Sequence, residues 1–187
     1  TCGSVNWNFV RNSSNIIPED HGCHVAGTIA GVRNNGKGLA GIAGGDYAAG
    51  KKGVTLMSAQ VFQGNSTASS FQNAIVWGAD NGAVISQNSW GNDYDFNHDD
   101  VLSAYEKDYA LRDRISSSMA AAIDYFIAYA GCDKDGNQKP GSPMKGGLVV
   151  FAAGNYGIAN GVPASYAPVI AVGASGMTGR LSSFSNY

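Results

Sequence analysis

The sequence predicts an α/β fold, with a mainly parallel sheet flanked by helices. Three observations carry that prediction. Short apolar runs alternate with stretches of small residues at helical period, the pattern of strand–helix–strand crossover units. The segment at 148–153, LVVFAA, is apolar without a break, as expected of a strand covered on both faces. Hydrophobic residues are 44% of the chain, enough for a packed core and too many for disorder.

The elements follow in order. Residues 53–62 read as a strand, and 69–78 as a helix with Phe71, Ala74, Ile75 and Gly78 on one face. A short buried strand is expected at 83–86. A second helix is expected at 115–130, where Met119, Ile123, Phe126, Ile127 and Ala130 recur at helical spacing. Strands close the pattern at 148–153 and 169–172. Crossovers between parallel strands should be right-handed. Two polar segments, 92–113 and 132–145, break the rhythm and read as surface insertions around the second helix, not as domain boundaries.

Length and charge narrow the function. A chain of 187 residues fits one domain. The net charge of −2, without a Lys/Arg cluster, argues against nucleic acid as a partner. No apolar stretch approaches the ~18 residues of a membrane span. There is no initiator Met, and the chain stops abruptly at Tyr187, so a piece of a longer protein is expected. The three cysteines, Cys2, Cys23 and Cys132, cannot all pair internally, and a Cys2–Cys132 bridge would leave Cys23 over. No C-x-x-C spacing exists, which removes zinc ribbons and thioredoxin-type motifs.

Three sites could carry chemistry. In DHGCHVAGTIAG, from Asp20 to Gly31, a His-Gly pair stands at the mouth of a helix of small residues. Gly27 and Gly31 would let that helix press closely on a neighbour. His21 at the entrance could face a cleft and act as general base and acid, because an imidazole titrates near neutrality. A structural His pair is the plainer alternative. A metal reading of His21 and His24, with Cys23 and Asp20 close by, offers two ligands at most and no evident third. In FAAGNYG, from Phe151 to Gly157, Asn155 follows a strand, at the edge where open α/β sheets bind ligands, and its amide could donate to a developing oxyanion. An ordinary Gly-Asn turn is the alternative. In SQNSWG, from Ser86 to Gly91, the backbone after a strand could pair with an extended peptide; a strand end with a buried aromatic is the alternative.

Other patterns are set aside. Gly36–Gly41 fits G-x-G-x-x-G but follows a helix instead of a strand. Asp133-Lys134-Asp135-Gly136-Asn137 lacks the closing Glu of a calcium loop and reads as a solvated turn. Asp93, Asp95, Asp99 and Asp100 read as a solvated loop.

Taken together and in order, these blocks resemble the subtilisin-like serine proteases, the subtilases. His21-Gly22-Cys23-His24-Val25-Ala26-Gly27-Thr28 resembles the family's H-G-T-H-V-A-G-T block, with Cys23 in place of Thr. Asn88-Ser89-Trp90-Gly91 resembles its substrate-binding strand, and Ala152-Ala153-Gly154-Asn155 its oxyanion block. Pro163-Ala164 through Ala174 and Phe184-Ser185-Asn186-Tyr187 resemble the segments that follow, and Trp7-Asn8-Phe9-Val10 the hairpin after the family's Asp block. The resemblance implies a three-layer fold with a twisted sheet, incomplete here at both ends. It implies a serine endopeptidase acting through an acyl-enzyme. His21 would be the catalytic base and Asn155 the oxyanion donor. Ser89, Trp90 and Gly91 would pair with substrate backbone, and Ala153 and Gly154 would line the opposite wall. Trp90 is bulkier than the usual occupant and would alter the pockets it borders.

Two departures qualify this. No D-[ST]-G block precedes Trp7, and the chain ends before a G-T-S-M-A block. Ser117-Ser118-Met119-Ala120 has the wrong neighbours and the wrong place in the order. The 187 residues alone are therefore expected to be inactive, and open strand edges to make them self-associate. A non-catalytic, peptide-binding subtilase-like domain is the main rival; a zinc-binding regulator is another. No cofactor is required. Structural calcium is common in the family, but no site for it is assigned. Secretion or attachment to the cell envelope is implied by the resemblance. Cys23 is expected to be buried, and Val162–Pro163 to be a cis peptide.

Overall fold

The computed structural model describes residues 5–187, so the Cys2–Cys132 pairing falls outside the described residues. The chain divides into two compact units, Thr1–Ala74 and Ile75–Tyr187.

In the first unit, β1 (Trp7–Asn8) is followed by α1 (Asp20–Ala30), β2 (Gly45–Asp46), β3 (Lys51–Lys52) and β4 (Ala59–Gln60). β1 pairs parallel with β4, and β2 pairs antiparallel with β3. Asn8 fixes the turn after β1. It is fully buried, and its Oδ1 accepts the backbone N–H groups of Val10 (3.1 Å) and Arg11 (3.0 Å). Its Nδ2 donates to Gln60 Oε1 (3.0 Å), which also accepts Ile17 N–H (2.8 Å). One buried amide thus ties the N-terminal turn to β4, as a buried polar group must be tied. The strand expected over 53–62 is reduced to Ala59–Gln60 plus an isolated bridging position, because a ladder is only as long as its partner and β1 has two residues.

The helix α2 (Ala68–Asp80) spans the division between the units. The second unit continues with β5 (Ile85–Asn88), α3 (Ala104–Arg112), α4 (Ser117–Tyr129), β6 (Leu148–Ala152) and β7 (Ile170–Val172). Strands β5, β6 and β7 form one parallel sheet in that spatial order. The α/β class and the parallel sheet agree with the sequence. α4 starts at Ser116, whose hydroxyl accepts Met119 N–H (3.3 Å), and buries Met119, Ala122, Ile123 and Phe126 along one stripe. That stripe packs toward Gly147, where a Cβ would lie 2.5 Å from the Phe126 ring, so only glycine lets helix and strand entrance meet this closely.

Two expectations are corrected here. The run at 148–153 was expected to be covered on both faces. Val149 and Phe151 are buried, but Leu148 is 43% exposed, as are Ile170 (46%) and Val172 (52%) on β7. Alternation puts Val149 and Phe151 of β6 on the core face and Leu148 on the other, whereas all three residues of the edge strand β7 are exposed. The polar segment 92–113 contains a helix, α3, that the hydrophobic period does not announce. Only Glu106 and Ala110 are buried along it. Its start is nevertheless built: Ser103 Oγ accepts Glu106 N–H (3.3 Å) while Glu106 Oε2 accepts Ser103 N–H (2.8 Å), a reciprocal capping box.

Candidate active site

His21 is the second residue of α1, in an exposed first turn. The N-cap Glu19 makes no side-chain capping bond. The far end of the helix is the anchored end. Gly31 N–H donates to Gly27 O (2.7 Å), and Gly41 N–H donates to Gly31 O (2.8 Å). The loop passes so close that a Cβ on Gly44 would fall 1.8 Å from Gly31 O. The small-residue helix therefore does press on a neighbour, and the neighbour is the glycine-rich loop at 39–44. Among the described residues, the His21 ring has no hydrogen-bond partner.

Cys23 was expected to be buried; it is exposed. The first turns of α1, residues 20–24, are all exposed, so its direction away from His21 leads to solvent, not core. Among the described residues, no three His, Cys, Asp or Glu side chains gather to hold a metal ion.

The other assigned residues lie in the second unit. β5 and β6 are parallel, with Asn88 opposite Phe151. The segments after them, Ser89–Gly91 and Ala153–Asn155, leave the same carboxyl edge of the sheet. Trp90 stacks edge-on against Phe151, ring centres 4.9 Å apart. A third segment, Gly161-Val162, joins the two. A Cβ on Gly161 would lie 2.1 Å from Ala153 O, and one on Gly91 would lie 3.1 Å from Val162 O. Residues 89–91, 153–154 and 161–162 thus enclose one patch at the end of the sheet. Asn155 is exposed at its edge, so its amide is open to a ligand. The Val162–Pro163 peptide is cis, as expected.

The loop after Asn155 is held by a residue to which the sequence gives no role. Asn186 is 2% exposed. Its Oδ1 accepts Tyr156 N–H (2.8 Å) and Ile158 N–H (3.3 Å), and its Nδ2 donates to Asn160 O (2.7 Å). Its own N–H donates to Gly154 O (3.0 Å). Gly154 has φ +112°, a backbone that other residues rarely adopt, and a Cβ there would meet Asn186 Nδ2 at 2.4 Å. The family segment Phe184–Tyr187 contains Asn186 but gives it no role, because its partners lie 26 to 32 residues earlier.

The polar loop 93–100 is only partly solvated. Asp95 is 7% exposed and accepts Asp99 N–H (3.2 Å) and Asp100 N–H (2.8 Å), so it is a buried turn acceptor instead of the solvated residue expected. The Tyr156 hydroxyl donates to Asp93 Oδ1. That bond holds the Asp93 carboxyl below its ordinary range, while burial first and then Asp93 push the Tyr156 phenol up.

The chain is similar to known proteins over nearly its whole length. The subtilase family model matches residues 4–187. The thermophilic serine proteinase of Bacillus sp. strain AK1 is 31% identical over 97% of this chain and 35% of its own length. Thermitase from Thermoactinomyces vulgaris is 29% identical over 97% of this chain and 50% of its own. The chain therefore spans between a third and a half of these relatives. The crystal structure of the nisin leader peptidase NisP from Lactococcus lactis superposes with a TM-score of 0.62 at 23% identity, covering 100% of this chain and 53% of that one, which bears on the fold alone. Ordered sequence blocks, a parallel sheet whose carboxyl edge gathers two of them, and a family match over nearly the whole chain make this a member of the subtilase family.

Proposed function

We propose that the protein is a serine endopeptidase, with His21 as general base and acid and Asn155 as oxyanion donor. The observation that supports this most is the common edge at which Ser89–Gly91 and Ala153–Asn155 emerge, linked through Gly161-Val162. An extended polypeptide can pair with the backbone at 89–91 and place its scissile carbonyl beside the Asn155 amide. A serine hydroxyl attacks that carbonyl as His21 removes its proton. Asn155 donates to the oxyanion as it forms, where a preorganised donor counts most. His21 then passes the proton to the departing amine, and water repeats the sequence on the acyl-enzyme. The chemistry needs no metal or cofactor. Neither the nucleophile nor the carboxylate that orients His21 is assigned within these 187 residues, so the activity belongs to the whole protein and the chain alone is inactive. Secretion or attachment to the cell envelope follows from the family resemblance.

The test uses the protein with its complete natural sequence. A fluorophosphonate probe should label it, and it should cleave a mixed peptide library. His21→Ala should abolish both. In subtilisin, loss of the catalytic His alone costs about 2 × 10⁶ in kcat, and a loss of that order is expected here. Peptide binding without cleavage or labelling would identify a non-catalytic domain instead.

A further inference from the structure

We propose that the segment 92–113 sets the specificity of this site by fixing the wall at Gly161-Val162, with Tyr94 and Asp113 as positioning residues. The inference rests on the endopeptidase reading above and adds a specificity element to it. The segment follows Gly91 directly and folds back over the loop after Asn155. Both backbone groups of Val162 are held by it. Asn92 N–H donates to Val162 O (2.8 Å), and the Tyr94 hydroxyl accepts Val162 N–H (3.2 Å). That hydroxyl in turn donates to Asp113 Oδ2 (2.9 Å), which also accepts from Asn92 Nδ2 (2.7 Å). Asp113 therefore ties the two ends of the segment together, and Tyr94 carries the tie to Val162.

The contact has a core of its own. Tyr94, Leu102 and Ala110 are buried together with Ile158, and Tyr156 packs on them. The Tyr94 and Tyr156 rings meet edge to face at 5.7 Å. Asn160 Nδ2 reaches across to Ala110 O (2.6 Å), the last turn of α3. Tyr94 is 1% exposed, and burial raises its phenol well above the ordinary range. It stays neutral at any working pH and can donate and accept at once.

The consequence concerns the substrate residue before the scissile bond. Val162 O already stands 3.1 Å from where a Cβ on Gly91 would lie, and a Cβ on Gly161 would crowd Ala153 O. The wall at 161–162 therefore sets how far apart the segments 89–91 and 153–154 stand. A side chain that enters between them is judged against a wall held from outside by Tyr94.

The experiment compares the complete protein with its Tyr94→Phe and Asp113→Ala variants on peptides that differ only at the residue before the cut: Ala, Leu, Phe and Lys. Tyr94→Phe removes one oxygen and leaves the ring core. Asp113→Ala acts at a half-buried position and leaves the phenol in place, so it decides the matter if Tyr94→Phe does not fold. The expected result is a change of at least about fivefold in relative kcat/KM between small and large residues, carried by KM, with faster amide exchange at Val162. Unchanged ratios, within twofold, in a folded and active variant would overturn the inference and leave the endopeptidase reading intact. An unaltered protein that cleaves none of the peptides would remove the endopeptidase reading, and this inference with it.

Discussion

The two proposed catalytic groups stand on differently built supports. His21 lies in the exposed first turn of α1, behind an N-cap without a capping bond, and its helix is fixed at the other end by the glycine-rich loop. Asn155 is itself exposed, but the loop that carries it is held from two sides, by Asn186 and by the segment 92–113. The difference separates two requirements. An oxyanion donor works only if its position is set before charge develops, so it needs a rigid frame. A base that takes a proton and then returns it must serve two partners in turn, and its orientation is the business of a third group.

The sharpest way to break the comparison is at Asn155. In the complete protein, Asn155→Ala should lower kcat by about 10²–10³, the size known for the equivalent donor in subtilisin, with KM little changed. Thermal stability should hold, because the side chain is exposed. A normal kcat would show that the rigid loop serves some other purpose. Next comes the frame itself. Asn186→Ala orphans the N–H groups of Tyr156 and Ile158 and the Asn160 carbonyl. Urea denaturation should register a loss of roughly 2–4 kcal/mol, the cost of a few buried unsatisfied groups. An equal loss at the exposed turn of α1 is not expected. The smallest effect concerns the brace and depends on pH. Hydrogen bonds from the Ser103 side chain and then from its backbone hold the Glu106 carboxyl below its ordinary value near 4.5. A carboxyl lowered by folding stabilises the fold above its unfolded value and loses that contribution as pH falls through the folded one. Glu106→Gln should therefore be less stable than the natural chain at pH 7, and the gap should narrow as pH falls below 4.5. A gap that stays constant as pH falls below 4.5 would mean that shape, not charge, does the holding.

Much of this was legible in the residues. The helical period marked α4 and the unbroken apolar run marked β6, each to within two residues. The family blocks pointed to His21, the segment 89–91 and Asn155, and the sheet brings the last two to one edge. What escaped was set by distance along the chain. β4 is short because β1 is short, which no local pattern records. The helix α3 lacks an apolar stripe, yet Ser103-Ala104-Tyr105-Glu106 carries the S-x-x-E signature of a capping box, a signal that was present and unread. Cys23 looked like a small core residue, but no periodicity reports that the first turns of α1 face outward. Tyr94 and Asn186 owe their importance to partners 68 and up to 32 residues away, so their sequence neighbours are uninformative.

The dependence of the loop after Asn155 on Asn186 also orders events in time. A growing chain emerges from the ribosome N-terminal end first. Strand β6 and the turn at Gly154 are made well before Asn186 exists to receive the Tyr156 and Ile158 amides. During translation the Tyr156 amide therefore waits for a partner made 30 residues later. Asn155, the proposed oxyanion donor, therefore sits in a loop whose hydrogen bonds to Asn186 close only after that partner has been made.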